Sequence, residues 1–171
     1  NRWYAPTPYY IDWSRENVKI LQTDPKARWQ GYQFFFREGF CWNFTLNEYS
    51  ELFKARIRKK SVFDVNAMSL FSLVSEIPVL YIICLLNSYP IFYLKKTFVN
   101  STSGFQINDA RQLPIVIPNA EQLHVFENIF NRAVAIQKDK FSGKISEQLA
   151  EKELDEIQKV LDKFVEEMYL K

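Results

Sequence analysis

Arg56, Arg58, Lys59 and Lys60 put four cations into five consecutive positions around Ile57, the densest basic grouping in the 171-residue chain. Guanidinium and ammonium groups donate hydrogen bonds and accept none, so a cluster of them suits phosphate, and an arginine fork also matches the major-groove edge of guanine. The surroundings are basic as well. Residues 26–60 hold eight cations (Lys26, Arg28, Arg37, Lys54, Arg56, Arg58, Lys59 and Lys60) against Glu38, Glu48 and Glu51, a local net charge of +5. The whole chain carries only +2, and its C-terminal end is acidic on balance, so the distribution of charge says more than the total. The competing reading of Arg56 to Lys60 is a solvated charge run with no ligand.

Other chemistry is poorly supplied. There is one histidine, His124, best placed on the surface or boundary of a helix, and the two cysteines, Cys41 and Cys84, stand far apart. Metal centres need several clustered ligands, and a Ser-His-Asp arrangement would have to use this same histidine beside a serine that lacks a nucleophile elbow. The four glycines, Gly31, Gly39, Gly104 and Gly143, are dispersed, so no glycine-rich loop can cradle a phosphate. Asp64 and Glu76 lack the lysine spacing of a nuclease-type metal site, and Glu51 and Asp109 read as solvated or capping groups. The expectation is therefore a binding module with no catalytic residues and no cofactor in this fragment. Two separated cysteines in apolar surroundings suit reduced thiols and a cytoplasmic protein, with a single disulfide as the alternative. No signal peptide is visible, and a start at Asn1 suits a piece of something longer. The apolar run over residues 77–94 is long enough to span a bilayer, but Pro78, Asn87, Ser88 and Pro90 interrupt it, which favours a buried core helix, or two short ones, over a membrane segment.

The elements that would position the cations are mixed. Residues 1–30 are aromatic and irregular, punctuated by Pro6, Pro8 and Pro25. Residues 32–36 and 40–44 read as a hairpin turning at Arg37-Glu38-Gly39, with Gly39 taking a positive φ. Residues 46–60 suit a loop or short helix, and residues 62–65 and part of 67–73 suit further strands. Ser75 begins a helix running to about Asn87, and Ser88 caps a second over residues 90–96. Residues 100–104 form a polar loop and residues 105–107 a short strand. Ile115-Val116-Ile117, fenced by Pro114 and Pro118, suits an edge strand or an extended strap. Asn119 and Gln122 then form a capping box for a helix over residues 120–140 with Leu123, Phe126, Phe130, Ala133 and Gln137 on one face. Gly143 ends it, and a second helix over residues 146–170 carries Ala150, Leu154, Ile157, Leu161, Phe164 and Met168 at alternating four- and three-residue spacings. The two should form an antiparallel hairpin. Their seams either pack on each other, or part of the second awaits a helix from elsewhere. The fold class is α+β: a globular body over residues 1–118 and a helical spacer arm over residues 119–171, packed on it or extending from it.

Several local patterns occur in a familiar order. Phe34-Phe35-Phe36-Arg37-Glu38-Gly39-Phe40-Cys41-Trp42 resembles the aromatic-x-x-Gly-x-x-Trp hairpin of the C-terminal specificity domains of adenine-specific DNA methyltransferases. Phe63-Asp64 resembles the strand that follows it there, and Leu85-Leu86-Asn87-Ser88 their core helix ending in Leu-Asn-Ser. Gln106-Ile107-Asn108-Asp109, Leu113-Pro114-Ile115, Pro118 and Gln122 are similar to their closing strand and helix start, a pattern shared with the specificity subunits of type I restriction systems. The resemblance covers roughly residues 31–123. Pro6-Thr7-Pro8-Tyr9-Tyr10 is a decoy: it lacks the acid or amide and the adjacent prolines of the loop that holds the target amine in the catalytic domains of such enzymes.

The resemblance implies a target recognition domain that reads double-stranded DNA while a separate methyltransferase domain, in the same or a partner chain, binds S-adenosylmethionine and transfers the methyl group. It also implies that the Leu-Pro strand hands the reader on to a helical spacer. The candidate DNA-binding residues are Arg37 and Trp42 on the hairpin and Arg56, Arg58, Lys59 and Lys60 on the basic run, with Trp42 equally suited to the core. The rival expectation is a protein-protein adaptor that uses the aromatic surface and the coiled-coil seam.

Overall fold

Strand β1 (Gly39–Asn43) is buried along its first four residues because neighbours cover it on both edges and both faces. In the computed structural model, which describes residues 1–27, 29–43, 52–63 and 67–170, β1 lies between β2 (Arg56–Arg58) and β3 (Ala67–Leu70) in an antiparallel sheet of order β2-β1-β3. Phe40 pairs with Ile57 on one side and with Leu70 on the other. The expected hairpin is therefore replaced. Residues 32–34 form a 3₁₀ turn opened by Gly31 at φ 73°, and β1 finds its partners farther along the chain. The reason lies in ring packing: Phe34 stacks on Phe71 and Phe35 packs edge-on to Trp13, Trp29 and Phe63, contacts that a regular strand alternating its side chains cannot make together. Gly39 is needed for space rather than for a turn. A Cβ there would lie 2.5 Å from the Leu70 carbonyl oxygen and 2.6 Å from the Phe71 ring. Residues 62 and 63 are not in a strand; residues 64–66 and 46–51 lie outside the described residues, and the rest of the stretch expected as a loop or short helix over residues 46–60 contains β2 instead.

Helix α1 (Arg15–Thr23), capped by Ser14, precedes this sheet. Helix α2 (Val79–Leu86) follows it, and α2 begins at Pro78 rather than Ser75, whose hydroxyl bonds Glu76 instead. Ser88 does precede α3 (Tyr89–Leu94), but its hydroxyl donates back to the Leu85 carbonyl at 2.7 Å, and α3 continues through a π-helical turn over Lys95–Val99. Between the helices stands Asn87, completely buried. Its side-chain Nδ2 donates to the Ala55 carbonyl and its Oδ1 accepts from the Ala55 N–H, both at 2.9 Å. The amide thereby pairs with one backbone residue as a neighbouring strand would, and satisfies both of that residue's buried polar groups. Gln158 of α6 (Glu147–Tyr169) donates to the Asn87 carbonyl at 2.9 Å and to Asp162 at 2.7 Å, and Asp162 accepts from the Tyr89 N–H at 2.8 Å.

The short strand expected over residues 105–107 is absent: Phe105 is buried as a core ring, and α4 (Ile107–Ala110) starts two residues later, its Asp109 carboxylate accepting from the Gln106 N–H. Residues 114–118 form the strap rather than an edge strand. Two tyrosine hydroxyls hold it by its carbonyls, Tyr81 of α2 donating to Val116 at 2.6 Å and Tyr169 of α6 donating to Pro114 at 2.7 Å. The capping box is present, with Asn119 and Gln122 exchanging bonds of 2.8 and 2.9 Å at the start of α5 (Ala120–Phe141). Gly143, at φ 74°, turns the chain into α6 (Glu147–Tyr169), which Ser146 caps. The seam of α6 is filled from within: Ala150, Leu154, Ile157, Leu161 and Val165 are buried, with Phe164 and Met168 packed at its edge. One apolar core runs from Trp3 through Trp42 and Phe126 to Val165, so the helical pair is packed on the body and the fold is α+β. No described helix is long and apolar enough to cross a membrane.

Asn87→Ala removes the side-chain acceptor of the buried Ala55 N–H and one of the two donors to its carbonyl, the Trp3 N–H remaining, and should cost about 1–3 kcal/mol, read as a lower denaturation midpoint; an unchanged midpoint would mean that water replaces the amide. Leu161→Asp sets an unpaired charge in the fully buried seam and should cost about 3–5 kcal/mol. A thermal midpoint that hardly shifts would show α6 to be detachable from α5.

Candidate nucleic-acid interface

The edge of β2 is extended by the N-terminal segment. Trp3 donates its N–H to the Ala55 carbonyl at 2.9 Å and accepts from the Ile57 N–H at 3.0 Å, forming a parallel bridge beside Arg56. Trp3 adopts φ 69°, a left-handed conformation that a bulky residue keeps only when its surroundings enforce it. Here its ring, buried edge-on to Phe130 of α5, supplies the constraint. The bridge fixes where the chain after Trp3 leaves the sheet, and residues 4–11 and Trp13 run on to line a groove of about 670 Å³ together with residues 56–62.

Arg56, Arg58, Lys59 and Lys60 all line this groove, and among the described residues no carboxylate does. They are not equivalent. Arg58 is half-buried and tied down: its guanidinium donates to the Ser69 hydroxyl at 3.1 Å and to the Val62 carbonyl and lies 4.7 Å over the Phe63 ring. Burial lowers its pKa from the usual arginine value. Its buried Nε has no acceptor among the described residues. Lys59 and Lys60 are exposed, and Lys59 places its ammonium 5.8 Å over the ring of Tyr4. Lys138 of α5 reaches the same ring at 5.7 Å, so the positive surface extends beyond the run onto the helical pair. Tyr9, Tyr10, Trp13 and Phe36 line the same groove. Trp13 is held by stacking on Trp29 at 5.8 Å with an interplanar angle of 11° and by an edge contact with Phe36. Phe36 is a second residue in the left-handed region, at φ 60°, fixed by its N–H bond to the Ser61 carbonyl.

Of the six residues singled out from sequence, four meet in the groove. Arg37 does not; it is exposed and lies 5.4 Å over the Phe34 ring. Trp42 is a core residue, 1% exposed, its indole N–H donating to the Phe105 carbonyl at 3.0 Å while its ring packs against Phe40 and Phe105. Burial on both faces of β1 is the physical reason: a side chain there has no route to a ligand on the surface. Tyr4, Tyr9 and Tyr10 are groove residues that sequence reasoning missed, and Lys138 adjoins them over the Tyr4 ring. The Pro6-Thr7-Pro8-Tyr9-Tyr10 stretch was itself a signal, since prolines exclude it from helix and central strand while its rings have no periodic pattern that would bury them.

The arrangement can hold a polyanion that also presents flat apolar faces. Phosphate oxygens match the cations, and aromatic rings match bases. No protein-family model matches the chain, and no curated protein matches it significantly.

Trp42→Phe keeps the ring and removes the donor to Phe105. It should lower stability by about 1–3 kcal/mol through the unsatisfied carbonyl, measured by denaturant unfolding. Stability equal to the parent's would show that the indole bond contributes nothing net.

Proposed function

We propose that this chain is a sequence-specific DNA-recognition module of a larger adenine-specific DNA methyltransferase, within a restriction-modification or related phage-defence system, and that it positions the duplex for methylation by a separate catalytic domain. The observation that supports the reading best is the convergence of Arg56, Arg58, Lys59 and Lys60 on one groove that, among the described residues, no carboxylate lines. Cations arranged this way neutralise phosphates and set register, while base edges are read by whichever side chains reach into the DNA grooves. Arg56, Lys59 and Lys60 are the phosphate-binding groups in this reading, and Arg58 shapes the wall through its bonds to Ser69 and Val62. The order of the Gly39 to Trp42, Leu85 to Ser88 and Leu113 to Pro118 patterns along the chain supports the same reading by resemblance. S-adenosylmethionine and the methyl transfer belong, on this proposal, to the catalytic domain, whose partner surface includes the helical pair. The expected compartment is the cytoplasm of a bacterium or archaeon.

A protein-protein adaptor is the alternative, and one observation favours it: the strap presents Ile115, Val116 and Ile117 at 37%, 36% and 68% exposure. The coiled-coil seam does not serve that alternative, because α5 occupies it.

Salt titration separates the two. Binding of a labelled duplex to the chain should weaken as salt rises, and Arg56→Ala, Lys59→Ala and Lys60→Ala should each reduce the slope of log affinity against log salt by about 0.9 for every phosphate that is then left without its cation. The triple variant should lose most of the slope. Duplex affinity and slope identical to the parent's would make the run solvent-facing decoration and sink the proposal.

A further inference from the structure

The two walls of the groove carry different chemistry, and a closed duplex uses only one of them. Paired DNA turns phosphates and base edges outward and keeps its base faces stacked inside. Arg56, Lys59 and Lys60 can engage that exterior. The aromatic residues of the groove present ring faces instead: Tyr9 and Tyr10 are 92% and 93% exposed, and neither has a ring partner among the described residues. Single exposed aromatics are ordinary on protein surfaces. Two consecutive ones lining the same groove as four cations, with no carboxylate among its described lining residues and with the rings of Trp13 and Phe36 in contact beside them, are a different matter.

We infer that the groove takes an unpaired stretch of DNA, with bases stacked on Tyr9 and Tyr10 and phosphates on Arg56, Lys59 and Lys60. The inference rests on the DNA-recognition reading above and refines what that reading binds. Stacking on tyrosine needs the face of a base, which only an unpaired or unstacked nucleotide offers, and it is tolerant of sequence because every base has such a face. The occupant is fixed by charge complementarity: four cations with no carboxylate among the described lining residues select a polyanion, and the aromatic residues select one with planar rings. The volume, about 670 Å³, falls within the range of about 300–1,000 Å³ that encloses a small ligand, so it suits about one or two nucleotides rather than the width of a duplex. Pro6 and Pro8 restrict the backbone leading to the tyrosines, which lowers the entropy lost when the wall is ordered by a bound strand.

The test uses the whole chain with two probes, a fluorescein-labelled oligodeoxythymidylate and a labelled blunt duplex, in anisotropy titrations at fixed salt. Tyr9→Ala and Tyr10→Ala remove surface rings, so circular dichroism should show an unchanged fold. Each should weaken the oligodeoxythymidylate by between about 5-fold and about 150-fold, the range for loss of one stacked base, and should leave the duplex nearly unaffected. Tyr9→Phe and Tyr10→Phe should retain the single-strand affinity, since the ring rather than the hydroxyl does the stacking. Alanine variants that bind the oligodeoxythymidylate as the parent does, while duplex binding keeps its salt dependence, would overturn this inference and leave the DNA-recognition reading standing. Absence of salt-dependent binding to either probe would overturn both.

Discussion

The carboxamide of Asn87 closing on the backbone of Ala55 is the contact that the rest of the structure depends on. Ala55 is buried just before β2, where its own backbone must be satisfied without a further strand. Trp3 and Asn87 share that duty, the Trp3 N–H donating to the same carbonyl that Asn87 binds. The consequence is geometric. The sheet, the N-terminal segment and the α2–α3 corner meet at one residue, and Gln158 carries the connection into α6. A polar network of this kind is costly when incomplete and specific when complete, because only one arrangement of the four segments satisfies every member.

The groove inherits its shape from that junction. Its cationic wall is the outer edge of β2 and the residues after it, and its aromatic wall is the chain that leaves Trp3. Arg58 shows why a basic run is not a uniform surface: hydrogen bonds and a ring beneath it make one cation a brace, while the exposed Lys59 and Lys60 that follow it can meet solvent or a ligand. The left-handed conformations of Trp3, before the segment that lines the groove, and of Phe36, within its lining, are each imposed by tertiary contacts. Strain of this kind is tolerated where the surroundings over-determine the backbone.

The strap between Pro114 and Pro118 joins the same frame to the helical pair. Without ladder hydrogen bonds it is held by the hydroxyls of Tyr81 and Tyr169, which come from α2 and α6. Burial raises the pKa of the Tyr81 hydroxyl above the usual phenol value, so it stays protonated, and a donor, at neutral and mildly alkaline pH. The strap therefore fixes the direction in which α5 departs, and the Asn119 capping box fixes where it starts.

What the sequence determined by itself was local. The capping box at Asn119 and Gln122, the left-handed Gly143 turn, the buried seam from Ala150 to Leu161 and the cationic character of residues 56–60 are all set by residues within a few positions of one another, where spacing along the chain equals proximity in space. The partners of β1, the role of Gly39, the burial of Trp42 and the meeting of Tyr9 and Tyr10 with Arg56 were decided only by the tertiary structure. Each depends on which distant segments share the core: Gly39 is required by Leu70 and Phe71, Trp42 is claimed by Phe105, and the groove exists because Trp3 pairs beside Arg56. Aromatic residues made this especially hard to read, since a ring buries well in a strand, a turn or an irregular segment alike, and its periodicity names no element. Contacts between segments separated by fifty or more residues are chosen by the fit of the whole core and by the satisfaction of every buried polar group, and neither is written in any one stretch of the chain.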